Sequence, residues 1–263
     1  MGTYLKFVSK SFQRSIAYKL EYYTGLANAF LYILIFTSVW KTVADESPGS
    51  LGTWTGDRLV EYAILSTLIK VSFGRNEYIL TTKIKSGDIA YDLLKPFRLV
   101  GMYVADSIGV SLFQTLARAL PLLLFSLIFF GIVPNISILS FLKFLPIYLF
   151  AFGIFIAFGF LISSLAFFLT EVFSFMVLYS ALVTLLSGSV IPVNLLPEFA
   201  QNFISWTPFP YLYYFPTAVL IGNPIQFSYP ELIARYIIEF SSIAILSYSV
   251  YRVGVRKMEF AGG

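Results

Sequence analysis

The stretch FLPIYLFAFGIFIAFGFLISSLAFFLT runs from Phe144 to Thr170 without one charged side chain. A helix that crosses a bilayer needs about 20 predominantly apolar residues, so this run alone is long enough to span lipid. It is flanked by two more uncharged runs, residues 119–142 and 172–197, and a fourth occupies residues 22–40. Two weaker candidates carry charge. Residues 57–76 hold Glu61, Lys70 and Arg75, and residues 231–251 hold Glu231, Arg235 and Glu239. The composition agrees with the runs: 58% of the 263 residues are hydrophobic and 12% are charged. Soluble domains run nearer 45–50% and about 25%. A soluble core of this size lacks the polar surface to stay in water, and a disordered chain would be far less apolar.

Cysteine and histidine are both absent. Disulfide and thiol chemistry are therefore excluded, together with the commonest metal ligand and the commonest general base.

The basic residues orient the chain. Lys6, Lys10, Arg14 and Lys19 precede the first span; Arg75, Lys83, Lys85, Lys95 and Arg98 lie between residues 75 and 98; Arg252, Arg256 and Lys257 lie near the C-terminus. Segment 41–58 has only Lys41 and Arg58 against Asp45, Glu46 and Asp57, and segment 192–229 has no Lys or Arg. Placing the basic segments in the cytoplasm requires an even number of crossings and a return between residues 41 and 75. Six spans satisfy both conditions: roughly 22–40, 57–76, 103–131, 141–169, 172–191 and 231–251. The basic region ahead of the first span is long and no small-residue cleavage site follows Trp40, so that span reads as retained rather than cleaved. The fold class is thus an all-α membrane protein in one domain, residues 1–263. It has six transmembrane helices, an N-terminal interfacial amphipathic helix and short outer re-entrant helices before the last span.

Three segments are not plain spans. In residues 3–19, Leu5, Val8, Phe12 and Ile16 fall on one helical face with Lys6, Lys10 and Arg14 around it, the pattern of a helix lying in the headgroup plane. In the inside loop 83–97, Gly87 can end one helix, Asp88 can cap the next, and Pro96 ends it. A helix of about two turns is expected, with Asp92 early and Lys95 late as the dipole prefers. Its apolar face would be Ile89 and Leu93, suited either to docking in a partner's groove or to packing on its own bundle. Segment 192–229 holds Pro192, Pro197, Pro208, Pro210, Pro216 and Pro224, six of the twelve prolines, along with Trp206, Tyr211, Tyr213 and Tyr214. An apolar segment so broken must sit in the interface or pack on protein. Pro197 and Glu198 start a short helix to about Ile204. Two short helices with a turn at Pro208–Pro210 are expected in the outer leaflet, as a lid over an exit or as a stabilising cap.

Charges inside the runs are costly and normally face a bundle interior or water. Arg118 and Glu239 are candidates for a polar path or a helix clamp. Pro121 is expected to bend the helix that holds Arg118. Glu231 and Arg235 are expected to pair and to reach the outer interface. Glu171 marks an inside turn. No phosphate-binding Gly-rich loop with Lys-Ser or Lys-Thr occurs, and no Gly-x-Ser-x-Gly elbow. ATP hydrolysis by that route and a serine triad are excluded.

The stretch Lys85-Ser-Gly-Asp-Ile-Ala-Tyr-Asp-Leu-Leu-Lys-Pro96 resembles a signature of one bacterial branch of the type-2 ABC exporter permeases. The stretch Ser187-Gly188-x-x-Ile191-Pro192-x-x-x-Leu196-Pro197, with Pro208 and Tyr211 beyond it, is similar to that of the broader family. The resemblance covers nearly the whole chain. It implies a permease subunit that is not itself an enzyme and binds no cofactor, with ATP and Mg on a separate ATPase subunit pair. It further implies a second permease, identical or related, and a multi-pass place in the bacterial cytoplasmic membrane with both termini inside. Residues 3–19 would be the connecting helix. Gly87, Asp88, Ile89, Asp92, Leu93, Leu94, Lys95 and Pro96 would couple to the ATPase. Pro192, Pro197, Glu198, Pro208 and Tyr211 would shape the exit for a hydrophobic or amphipathic substrate. The alternative is an ATP-independent channel or secondary transporter using Arg118 and Glu239.

Overall fold

Helices account for every regular element among the described residues. The structure is a computed structural model and describes residues 2–17, 19–46, 54–74, 77–131 and 136–258. Arg75 and the tip of the first outer loop lie outside the described residues.

The helices are α1 (Gly2–Ala17), α2 (Lys19–Glu46), α3 (Gly56–Ser72), α4 (Glu77–Ser86), α5 (Ile89–Leu93) and α6 (Leu99–Gln114). A π-helical turn, Thr115–Ala119, joins α6 to α7 (Leu120–Phe130). Then come α8 (Ile138–Ser164), α9 (Phe173–Leu186), α10 (Glu198–Ser205), α11 (Tyr214–Leu220) and α12 (Tyr229–Lys257).

Each expected span overlaps helical residues, 103–131 falling on α6, the π-helical turn and α7. Four are long and apolar enough to cross a membrane: Tyr22–Glu46, Leu99–Phe130, Ile138–Phe167 and Tyr229–Lys257. The other two are shorter, α3 with 17 residues and α9 with 14. Helix α3 lies at the centre. Leu59, Val60, Tyr62, Ile64 and Ser66 are all buried in it, and a helix covered all round is a core helix. Its sequence makes this possible because its charges are confined to Asp57, Arg58, Glu61 and Lys70. Thr55 caps it by accepting from the Arg58 amide, leaving the apolar middle uninterrupted.

Two hydrophobic clusters divide the molecule. The larger joins α2, α3, α8, α11 and α12 through Ile33, Leu59, Tyr62, Ile154, Phe215 and Tyr236. The smaller sits at the basic end, where Leu80, Ile84, Ile89, Leu99, Met102, Tyr103 and Phe160 meet. Aromatic rings lock the α8–α12 pair. Phe150 packs on Tyr236 and Phe240, and a Cβ at Gly153 would lie 2.9 Å from the Phe240 ring.

The apolar face of α1 is divided. Val8 and Phe12 turn toward α6, Phe12 meeting Phe113 edge-on at 5.8 Å, while Leu5 and Ile16 remain exposed. Close approach is allowed by small residues on α6. A Cβ at Gly109 would lie 2.4 Å from the Val8 carbonyl oxygen, and one at Gly101 would lie 2.7 Å from the Tyr4 ring. Small residues along one helix face let backbones touch. Asp106 then fastens the pair, accepting from Arg14 Nη2 at 3.0 Å on both oxygens and from the Ser11 hydroxyl.

Candidate functional site

The basic end presents the loop after α4. Lys83 and Lys85 close the last turn of α4, and Gly87 reverses the chain with φ +82°, a left-handed conformation that a Cβ would strain. Beyond Gly87 the loop differs from the sequence expectation in two ways and decides between its two alternatives for the apolar face. Helix α5 has five residues rather than two turns. Asp88 has helical dihedrals and caps nothing; its Oδ2 accepts from the Ser86 hydroxyl at 2.7 Å. Because the turn through Gly87 delivers Asp88 already in the helical region, its carboxylate cannot reach the first amides. Of the two readings of the apolar face, packing on the chain's own bundle holds. Ile89 is fully buried in the smaller cluster and Leu93 packs beside it, whereas Tyr91 is 71% and Leu94 83% exposed. The sequence-derived knob is therefore the root of the helix, and its neighbours are the tip.

Asp92 holds this loop in shape. It is buried, yet its Oδ2 accepts from Lys83 Nζ at 2.7 Å and its Oδ1 from Lys95 Nζ at 2.6 Å. Burial pushes its carboxyl up, but the hydrogen bonds and charges of the two lysines outweigh burial and hold it below the usual aspartate value. Lys95 is thereby bent back onto α5 ahead of exposed Pro96. A small cavity of about 90 Å³ lies between this clamp and the Arg14–Asp106 pair, lined also by Phe7 and Met102.

At the opposite end the chain folds back between α9 and α12. Pro192 opens a short turn, Val193–Leu195, and Pro197 precedes α10, whose first residue is Glu198. A turn at Phe209–Tyr211, entered through Pro208, leads to α11. The two expected short helices and the expected turn are present. Helix α11 is buried from Tyr214 to Leu220, so it belongs to the core, while α10 shows Phe199, Phe203 and Trp206 on its outside. The segment is tied inward by side chains. Tyr62 donates to the Gly188 carbonyl at 2.5 Å, Ser66 to that of Ser189 at 3.2 Å, and Tyr236 to that of Tyr211 at 2.9 Å. Gly188 has φ +74°, and a Cβ there would lie 2.7 Å from Tyr214 Cβ. Trp54 Nε1 donates to Asn194 Oδ1 at 3.2 Å, and Gln201 Nε2 donates to the Leu196 carbonyl at 2.7 Å.

The family model described as an ABC-2 family transporter protein matches residues 24–262. The chain belongs to the ABC-2 transporter family. No curated protein matches it. Membership makes the chain an integral-membrane transport component, and it implies association with an ABC ATPase. All of α3 to α12 lies inside the matched range, including the α5 loop and the Pro192–Tyr211 segment.

The in-span charges of this ABC-2 chain fall in separate helix pairs. Arg118 occupies the π-helical turn and rests on α2, where a Cβ at Gly25 would lie 2.4 Å from its Cζ. Glu239 lies on α12, which packs against α8. Arg235 pairs with Glu231 at 3.1 Å and stacks on the Phe227 ring at 4.0 Å, as expected of groups near a helix end. Glu171 caps its turn by accepting from the Phe173 amide at 2.6 Å. Lys70 lies over the Tyr32 ring at 5.1 Å.

Two structural features are not marked by the sequence pattern. Asp106 is the one charged residue in the stretch 99–117, and a basic helix elsewhere in the chain is the signal that could have matched it. The π-helical turn has no compositional mark at all. Among the described residues no group of acidic side chains could hold a metal ion.

Proposed function

We propose that this chain is the permease subunit of an ATP-driven ABC exporter. It forms one half of a transmembrane domain, with a second copy or a related permease as the other half. A pair of ATPase subunits docks beneath it and carries the ATP and Mg. Four long helices together with α3 and α9 make six crossings, which put the three basic segments and both termini in the cytoplasm. The membrane is the bacterial cytoplasmic membrane.

The observation that carries this reading is the braced loop. Tyr91 and Leu94 project from a helix whose root, Ile89, is sealed in the smaller cluster and whose base is clamped by Asp92. An exposed aromatic and an exposed leucine on a stiff mount form a contact that can transmit force. ATP closes the ATPase pair, the two loops move, and the permease halves tilt about their interface as rigid bodies. At the outer side, α10 and α11 shape the exit, with Pro192, Pro197, Glu198, Pro208 and Tyr211 setting their turns. The aromatic content, 19% of residues, suits a hydrophobic or amphipathic substrate. The other reading, an ATP-independent carrier built on Arg118 and Glu239, gains no support from their separate helix pairs.

The test is co-purification with candidate ATPase subunits, followed by ATP hydrolysis and substrate export in vesicles. A complex that is lost on Tyr91→Asp with Leu94→Asp supports the proposal. Ion-driven flux by this chain alone, or a complex indifferent to both substitutions, overturns it.

A further inference from the structure

We infer that the π-helical turn Thr115–Ala119 is a hinge at which the basic-end unit bends against the membrane core. A π turn is one extra residue accommodated in an α-helix, and such bulges kink helices and recur at functional sites. Here its position is informative. Below it, α6 belongs to the smaller cluster through Leu99, Met102 and Tyr103 and is fastened to α1 by Asp106. Above it, α7 joins the larger cluster through Leu122. The bulge thus lies where the α6–α7 rod passes from the smaller cluster to the larger, alongside α8 and α12, which contribute to both without a break.

Two further features soften the same level. Pro121 has no amide proton, so it cannot bond the Ala117 carbonyl, and its ring crowds that carbonyl. The ladder is therefore interrupted in two successive turns. The contacts at this level include polar ones. Gly74 donates its amide to Ser111 Oγ at 2.8 Å, Ser72 and Tyr148 share a hydroxyl bond of 2.8 Å, and Thr115 Oγ1 donates to the Ser111 carbonyl at 2.8 Å. Such bonds can exchange partners without opening an apolar core. Arg118, inside the turn, lies close against α2 at Gly25, where there is no Cβ. The bend itself is a property of this chain; only its driver, nucleotide on an ATPase partner, rests on the proposed function.

The chain has no cysteine, so nitroxide pairs can be placed directly. Labels at Leu112→Cys on α6 and Ile128→Cys on α7, both exposed, bracket the turn at about 24 Å for 1.5 Å rise per residue. Distances are read by pulsed electron resonance on the full-length protein in nanodiscs, alone and with its ATPase. Deleting Ala117 removes the extra residue and keeps both flanking faces in register. Pro121→Ala is the milder variant should the deletion fold poorly. The inference predicts a broad distribution in the parent, a second population on adding a non-hydrolysable ATP analogue with the ATPase, and one narrow population in the deletion variant or, if that fails to fold, a narrower one in Pro121→Ala. A parent distribution as narrow as the variants' overturns the hinge. A broad parent distribution that narrows on deletion but ignores nucleotide upholds the hinge and counts against the ATP-driven reading.

Discussion

Lys83 Nζ donates to Asp92 Oδ2 at 2.7 Å although Asp92 is only 6% exposed. With Lys95 on the other oxygen, the carboxylate joins the end of α4 to the residue before Pro96. Asp92→Asn keeps the shape and removes the charge. Both lysines are nearly half exposed, so solvent screening reduces the loss to about 1 kcal/mol. The folded-state pKa of Asp92 is lowered. The clamp is therefore fully present above the ordinary aspartate pKa and is lost as pH falls through the lower folded value. Thermal melts of the purified protein should lose stability below that range in the parent, with a smaller acid-side loss in Asp92→Asn.

Ile89 and Leu94 should respond oppositely to the same change. Ile89→Asp buries a carboxylate in an apolar cluster and should cost about 3 kcal/mol or more. Leu94→Asp alters an exposed tip and should change stability by about 0.5 kcal/mol or less. Melting temperature and monodispersity in detergent read the difference.

Gly109 is a point of close approach between α1 and α6. The atom facing it is the Val8 backbone carbonyl, which cannot rotate away. Gly109→Leu should lift α1 and break the Arg14–Asp106 pair. The expected result is rapid proteolysis within residues 2–17 while the remaining helices stay protected, followed by mass spectrometry.

The three tryptophans give a direct reading of α10. Trp40 and Trp54 are 8% and 5% exposed, and Trp206 is 89% exposed. If α10 lies in the outer leaflet, lipids brominated near the headgroup should quench Trp206 strongly, and Trp206→Phe should remove most of the quenching. Steady-state fluorescence in vesicles measures it.

How much of the fold was legible depended on the length of the pattern. The long helices could be read because runs such as 144–170 have no charge to interrupt them, although α2 and α12 extend past the apolar limits into Glu46 and Lys257. The two short helices of the outer segment were legible from Pro197 and from Pro208–Pro210, which leave few alternatives. Helix α5 was not, because five residues give too little periodicity to tell a buried Ile89 from an exposed Tyr91. Asp88 misled for a related reason: its residue type favours a cap, but the turn through Gly87 places it wrongly. Asp92 as a double clamp, and Asp106 as the anchor of α1, depend on partners nine and 92 residues away. Nothing local in the sequence marks such a pairing.

In the proposed topology the Gly87–Pro96 loop faces the compartment where ATP is, with α10 on the other side of the membrane. Single cysteines at Leu94 and at Phe199, in a chain that has no others, test it with a membrane-impermeant maleimide on intact cells. Phe199→Cys should be labelled at once and Leu94→Cys only after the membrane is opened. Labelling of Leu94→Cys from outside intact cells would contradict it.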